Sequence, residues 1–163
     1  MATTTPAEIR DRAIAVIAAL TPQTDPHLTF RPYRNEGGAD FRAFCEANPS
    51  ACTRRVQVRT VGGSVVPLVS NMDTEEHEAT VEVTIAYQQA HRWGDSALER
   101  DDVADQDVFE IDQAIGMLGF ANFSPPFADA MWHPDNDGVP DRDAINGVEF
   151  VTMRVRYTYW RVR

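Results

Sequence analysis

The chain has 163 residues, which suits one domain with a sizeable core, and it carries a formal net charge of −10. So large an acidic excess argues against a protein that coats nucleic acid, because duplex binding depends on many contacts between cations and phosphates. The sequence also lacks both a signal peptide and an apolar run of the roughly 20 residues that a membrane helix needs, so we expect a soluble protein made in a cytoplasm.

The first third of the chain predicts two helices and a short strand. Residues 6–20 have apolar side chains at helical spacing, and Thr5 precedes them as a helix cap. Residues 28–33 suit only a short edge strand, because Pro32 lacks the N–H that a central strand needs. Residues 39–47 predict a second, short helix that stops before a proline.

Three later segments have the two-residue period of β-strands. Residues 54–61 form the first, and the pair Gly62-Gly63 is expected to end it. Residues 80–87 and 151–160 are longer, and each has one apolar face and one polar face. Such alternation indicates a sheet that packs against the core on one side.

The remaining segments predict one more helix and two connections. The helix covers about residues 105–118, and acidic residues cluster at its start, where the helix dipole favours negative charge. Residues 62–78 and 120–147 are expected to be connections, and the second is long enough to serve a partner or a function. We therefore predict a single α+β domain over residues 1–163, with a mixed or antiparallel sheet of about four to five strands and two main helices packed on one face.

One segment resembles a calcium-binding loop. Residues 133–141 carry alternating oxygen ligands and the turn glycine Gly138. However, His133 stands where the first carboxylate should be, and no Glu follows at the bidentate position. A turn that needs no ion accounts for the same residues, so we expect no metal site.

No motif predicts catalysis or cofactor binding. Ser64 lacks the surrounding pattern of a hydrolase nucleophile, and Gly62-Gly63-Ser64 lacks the length and the Lys of a phosphate-binding loop. Cys45 and Cys52 are close enough in sequence to form a disulfide, but a reducing compartment favours free thiols. We expect no catalytic residue and no cofactor.

Arginines recur on the polar faces of the predicted strands, which also carry Glu82. Ion pairs between strands of one solvated sheet face explain this pattern, and so does packing against a neighbouring subunit, since Arg and Trp are enriched in interface cores. Both interpretations stay open at this point. The candidate interface residues are Arg59, Arg154, Arg156, Trp160 and Trp132.

The order of the predicted elements resembles that of the tail terminator proteins of long-tailed bacteriophages. The matching stretches are residues 7–20, 55–59, 78–87, 108–118 and 151–159. The resemblance covers most of the chain at the level of pattern. The chain departs from the smaller family members through its longer segments at residues 21–53 and 120–147.

This resemblance implies a structural virion protein assembled in the host bacterium. It implies a ring, usually a hexamer, that caps the tail tube, stops its polymerisation and contacts the head-completion proteins, while DNA passes through the lumen without specific binding. Lumen acids are then expected from one of two segments, at Glu75 and Glu76 in the stretch 73–78 or at Asp101 and Asp102 in the stretch 95–107. The alternatives are another neck component, such as a head-closure or connector protein, and a small calcium-binding module.

Overall fold

The computed structural model describes residues 5–35, 38, 40–65, 74–93, 99–116, 131–134 and 140–162. These residues form three α-helices and a six-stranded mixed sheet, which confirms the predicted α+β fold. The helices are α1 (Pro6–Ala19), α2 (Phe41–Ala47) and α3 (Arg100–Gly116), with a 3-10 turn at Pro49–Ala51. The strands are β1 (Arg31–Pro32), β2 (Arg55–Val65), β3 (Thr74–Gln88), β4 (Met131–Pro134), β5 (Asp141–Ile145) and β6 (Val148–Val162). None of the described helices is both long and apolar enough to span a membrane.

Helix α1 begins and packs as its sequence predicts. The Thr5 hydroxyl accepts a hydrogen bond from the Glu8 backbone N–H, and the Glu8 carboxylate accepts one from the Thr5 N–H at 2.8 Å. These reciprocal bonds satisfy N–H groups that have no partner within the helix. Ile9, Ala13 and Ile17 recur at intervals of four residues and are fully buried.

The sheet has the strand order β1-β2-β3-β6-β4, and β5 also pairs with β6. Strand β1 runs parallel to β2, and the other neighbouring pairs are antiparallel. Strands β3 and β6 pair along their whole length, from Thr74 opposite Val162 to Gln88 opposite Val148. Because every other described strand adjoins β3 or β6 except the short β1, this pair organises the sheet.

The two faces of the sheet bury separate clusters. Helices α1 and α3 cover one face, which we call the core face; it presents Val81, Val83 and Ile85 from β3. On the opposite face, which we call the polar face, α2 packs Phe41 and Cys45 against one end of β3 and β6. The predicted pair of main helices on one face is therefore present, and a third, shorter helix covers part of the other.

The hairpin of β2 and β3 is longer than predicted. Strand β2 continues through Gly62-Gly63 to Val65, with a shift in register between Thr60 and Gly63. Gly62 has a φ of 151°, so a residue without a Cβ accommodates the bulge at the point where the strand was predicted to end. Strand β3 begins at Thr74, so residues 74–78 are strand rather than part of a connection.

The stretch 120–147, predicted to be irregular, contains β4 and β5. Strand β4 has four residues, which is too few for a clear period. All five residues of β5 are exposed, so its sequence has no alternation of apolar and polar residues from which a strand could be predicted. Helix α3 also begins at Arg100, five residues before its predicted start. The six strands of the described chain therefore exceed the predicted four to five.

Candidate subunit interface

Three charged side chains form a row across the polar face. Register places Arg59 of β2 and Arg154 of β6 directly opposite Glu82 on the central β3. The Arg59 guanidinium lies 2.6 Å from one Glu82 carboxylate oxygen, and Arg154 Nε lies 3.0 Å from the other. The predicted ion pairing across strands is therefore confirmed for these two arginines.

Burial differs within this row. The Glu82 side chain is 6% exposed, whereas Arg59 and Arg154 are 59% and 40% exposed. The carboxylate is thus covered by two cations whose outer surfaces remain in water. Such a row presents a positively charged, donor-rich surface over a buried acid, which suits a contact with another protein.

A shallow polar groove adjoins the row. The hydroxyls of Thr84 and Thr152 are 3.1 Å apart on its floor, and Asp141 of β5 lies 3.4 Å from Arg154. The groove has a volume of about 190 Å³ and ends at the start of α2. Its lining offers hydrogen-bonding groups rather than an apolar pocket, which favours polar side chains of a partner over a small apolar ligand.

The other predicted interface residues lie toward the far end of β6. Register sets His133 of β4 opposite Arg156, and Trp132 opposite Tyr157. Further along, Trp160 is opposite Glu76. Arg156 is therefore two positions from Arg154 along β6 and adjoins the row at Glu82, whereas Trp132 is on the neighbouring β4 and Trp160 is six positions from Arg154, toward the end of β6.

The predicted lumen acids fall into two groups at opposite ends of the sheet. Glu75 and Glu76 are opposite Arg161 and Trp160 near the end of β6. Asp101 and Asp102 are in the first turn of α3, next to Arg100, which pairs with Glu149 near the start of β6. Positions 149 and 160 are separated by about 36 Å of extended strand, so a single copy of the chain presents the two groups far apart.

Asp101 belongs to a cluster of ion pairs around Arg142 of β5. The Arg142 guanidinium lies 3.2 Å from Asp101 and 3.5 Å from Glu149, and it also pairs with Asp105. These acids raise the pKa of Arg142 against the opposing effect of burial. The cluster ties β5 to α3 and pairs Asp101, one of the predicted lumen acids, with an arginine of the same chain.

An ion pair between Arg54 and Asp107 lies in the core and was not predicted from the sequence. Arg54 and Asp107 form two hydrogen bonds of 2.8 Å, and the Tyr87 hydroxyl donates to Asp107 at 2.9 Å. Arg54 also donates to three backbone carbonyls of the preceding loop, at Thr24, Asp25 and Leu28. Both charged side chains are fully buried.

The arrangement of this buried network identifies its role. Burial raises the pKa of Tyr87 far above its ordinary value, and the negative charge of Asp107 adds to the effect. Burial also raises the pKa of Asp107, because desolvation outweighs the opposing effect of Arg54 and Tyr87. Asp107 lies on the buried stripe of α3 between Val103 and Ile111. An acid on an apolar helix stripe needs a buried partner, and this was the feature of the sequence that could have indicated the ion pair. The network fastens α3, β3 and the loop before β1 to one another.

Cys45 and Cys52 are both free, as predicted, and both are buried. The Cys52 thiol donates to the Asn48 carbonyl at 3.1 Å. Burial raises the pKa of both thiols, which disfavours the reactive thiolate. Packing of α2 against the sheet therefore accounts for these residues.

The segment that resembles a calcium loop lies mostly outside the described residues. His133 is in β4 and Asp141 begins β5, while residues 135–139 between them are not described. Within the described ranges, no three His, Cys, Asp or Glu side chains are grouped so that they could hold a metal ion.

No protein-family model matches the chain, and comparison with curated proteins finds no match.

Proposed function

We propose that the chain is a structural subunit of a bacteriophage tail, a tail terminator that assembles into a ring on the end of the tail tube. The order of its main elements supports this, because an opening helix, two long strands, an acidic helix and a final strand follow one another as the resemblance to tail terminators implies, while α1–β2 and α3–β6 are separated by further short elements. Like that resemblance, the proposal assigns the chain no catalytic step and no cofactor.

The observation that carries the proposal is a difference in length between the strands and the helices. Strands β3 and β6 have 15 residues each, about 50 Å, whereas α1 with 14 residues and α3 with 17 residues extend for about 21 Å and 26 Å. The helices α1 and α3 are therefore about half as long as these strands. Within the described part of the chain, a paired sheet that extends beyond its helices suits a protein whose neighbours complete its packing.

The charged surface supports the same proposal. The row of Arg59, Glu82 and Arg154 offers guanidinium groups to a neighbour on the polar face. The net charge of −10 would keep DNA from adhering while it passes through a ring. The proposed partners are other copies of this chain, in a ring of six, together with the tail-tube protein and a head-completion protein.

Tube capping tests this function directly. Tail-tube protein of the same phage is polymerised with increasing amounts of this protein, and tube lengths and tube ends are measured by negative-stain electron microscopy. We expect shorter tubes with a ring at one end when the protein is present during growth, and unchanged lengths when it is added after growth has finished.

Tubes of equal length with bare ends would contradict the proposal. Binding to DNA-filled heads without binding to tubes would instead favour the neck alternative, a head-closure or connector protein. The tube-capping assay and the head-binding assay use the same purified protein. Activity in one assay therefore shows that the protein is folded and is the control for a negative result in the other.

A further inference from the structure

Among the described residues, one edge of β2 has no paired strand after Val56, and the stretch from Gln57 to Val61 lies before the glycine bulge. Strand β3 pairs with one edge of β2, and β1 pairs with the other edge only at Arg55 and Val56. The Val56 carbonyl accepts a 2.7 Å hydrogen bond from Tyr33 N–H on that side. Backbone groups alternate in direction along a strand, so those of Val58 and Thr60 point to the open edge.

A cleft with a volume of about 610 Å³ lies beside this edge, bounded by α1 on one side and by the start of α2 on the other. The charged residues of its lining are Arg10, Arg34 and Arg59 together with Asp11 and Asp40, and Gln57 and Val58 come from the strand itself. The cleft continues the line of β1, which ends after two residues. An extended segment placed there would find backbone partners on β2 and arginines around it.

At the opposite edge of the same sheet, β5 has no second paired strand within the described ranges. All five residues of β5 are exposed, and β6 is the strand that pairs with β5 among the described residues. Asp141 and Asp143 contact Arg154 and Arg42, which places both acids on the polar face. Folded proteins usually shorten, cover or block such an open edge.

We propose that β5 of one copy of the chain pairs with the open edge of β2, at Gln57 to Val61, in a second copy. Strand directions agree with this contact: β2 and β5 are each antiparallel to a strand of the central pair, and the central strands are antiparallel to each other. Strand β5 therefore runs antiparallel to β2, and a sheet continued from one copy to the next would pair them in the favoured antiparallel manner. Each partner segment is five residues long.

Charge supports the same pairing. Arg59 is on the polar face with Glu82, and the acids Asp141 and Asp143 are on that face as well. A sheet that continues without turning over places the acids of one copy beside Arg59 of the next. The contact joins two different surfaces, so repetition generates a ring or a filament. The inference thus rests on the proposed function and deepens it by naming the contact that would close the ring.

Proline at the open edge tests the backbone part of the contact. Val58→Pro removes an N–H that points away from β3, so the folded monomer should persist while the added strand loses a central hydrogen bond. Val58→Thr keeps the N–H and a similar shape and is the matched control. We expect light scattering to give an oligomer for the wild type and Val58→Thr, a monomer for Val58→Pro, and closely similar thermal melts for the two variants.

Charge reversal tests the side-chain contacts between β2 and β5. Mixing two reversed variants tests whether Arg59 of one copy meets Asp143 of the next. Arg59→Glu places acids on both sides of the contact, and Asp143→Arg places cations on both sides, so each variant alone should remain monomeric. In an equimolar mixture, the carboxylate introduced at position 59 of one copy meets the guanidinium introduced at position 143 of the next, while native Arg59 meets native Asp143 at the following contact. We expect the mixture, and also the Arg59→Glu/Asp143→Arg double variant alone, to regain the oligomer.

Failure of the contact and failure of the function have different signatures. Val58→Pro that still forms the oligomer, charge variants that assemble alone, or a wild type that stays monomeric at tens of micromolar would each overturn the β2–β5 contact. A wild type that caps tubes while all these variants also cap them would overturn the contact and leave the proposed function standing. Assembly that follows the predicted pattern without tube capping would support the contact and count against the function.

Discussion

Asp107 and Glu82 are carboxylates held by arginine on opposite faces of the sheet, and their surroundings differ. Asp107 is on the core face and its partner Arg54 is fully buried, with backbone carbonyls occupying the remaining donors of the guanidinium. Glu82 is on the polar face, and its partners Arg59 and Arg154 are about half exposed. The first arrangement joins three parts of the chain, whereas the second leaves cations at the surface. Similar chemistry thus serves internal cohesion at one site and suits contact with a neighbour at the other.

The largest expected effect is at the buried site. Asp107→Asn keeps the shape of the side chain but leaves the Arg54 charge buried without a counter-ion, so the free energy of unfolding should fall by about 3–5 kcal/mol. Urea denaturation monitored by circular dichroism measures the loss. Asp102→Asn, an exposed position on the same helix, is the matched control and should change stability by less than about 0.5 kcal/mol.

A second variant tests the same ion pair if Asp107→Asn does not fold. The double substitution Arg54→Met/Asp107→Leu replaces both charges by apolar groups and should be more stable than Asp107→Asn. If Asp107→Asn instead loses less than about 1 kcal/mol, the buried pair does not hold the fold together as described.

Glu82→Gln should have a smaller effect, about 1–2 kcal/mol, because its arginine partners regain water when the charge is removed. The same denaturation experiment gives the value. A loss as large as that of Asp107→Asn would erase the difference between the two sites. In the oligomer, the variant should also show weaker assembly, since Arg59 and Arg154 lose the acid that orients them.

Removal of the Tyr87 hydroxyl should cost about 1 kcal/mol at neutral pH, through loss of its hydrogen bond to Asp107. The native protein holds the Tyr87 proton because burial raises the pKa of the phenol, whereas the unfolded chain releases it near pH 10. The wild type should therefore lose stability as pH rises above 10 toward the raised pKa, and Tyr87→Phe should lose this part of the decline. If the unfolding free energies of the two proteins fell identically with rising pH, the alkaline loss of stability would not come from Tyr87.

The smallest expected effect is at an exposed ion pair. Arg10 lies 2.8 Å from Asp11, with side chains 39% and 62% exposed. Arg10→Gln should change the free energy of unfolding by less than about 0.5 kcal/mol, since solvent screens such a pair. A larger loss of unfolding free energy would mean that Arg10 makes further stabilising contacts in the cleft beside β2. Light scattering of Arg10→Gln would then test whether those contacts also support assembly.

The sequence predicted those features that depend on local periodicity. Alternation along β3 and β6 identified their apolar and polar faces, and the arginines opposite Glu82 follow from that alternation. Strand β5 escaped prediction because it has no buried face, and β2 continued past a glycine pair that a hairpin turn would also use. Arg54 and Asp107 are 53 positions apart, so only the folded chain brings them together.

The position of β6 in the sheet has a consequence for how the protein is made. It is the last described element to leave the ribosome, yet it lies between β3 on one side and β4 and β5 on the other. The Thr84 and Thr152 hydroxyls that meet across the central pair are 68 positions apart, so closing the sheet requires the joining of distant segments, which is slow. During synthesis, the edge of β3 that later pairs with β6 is therefore unpaired and can pair with other nascent chains. We expect chaperone demand and aggregation in the cell to depend on how fast β6 emerges and inserts.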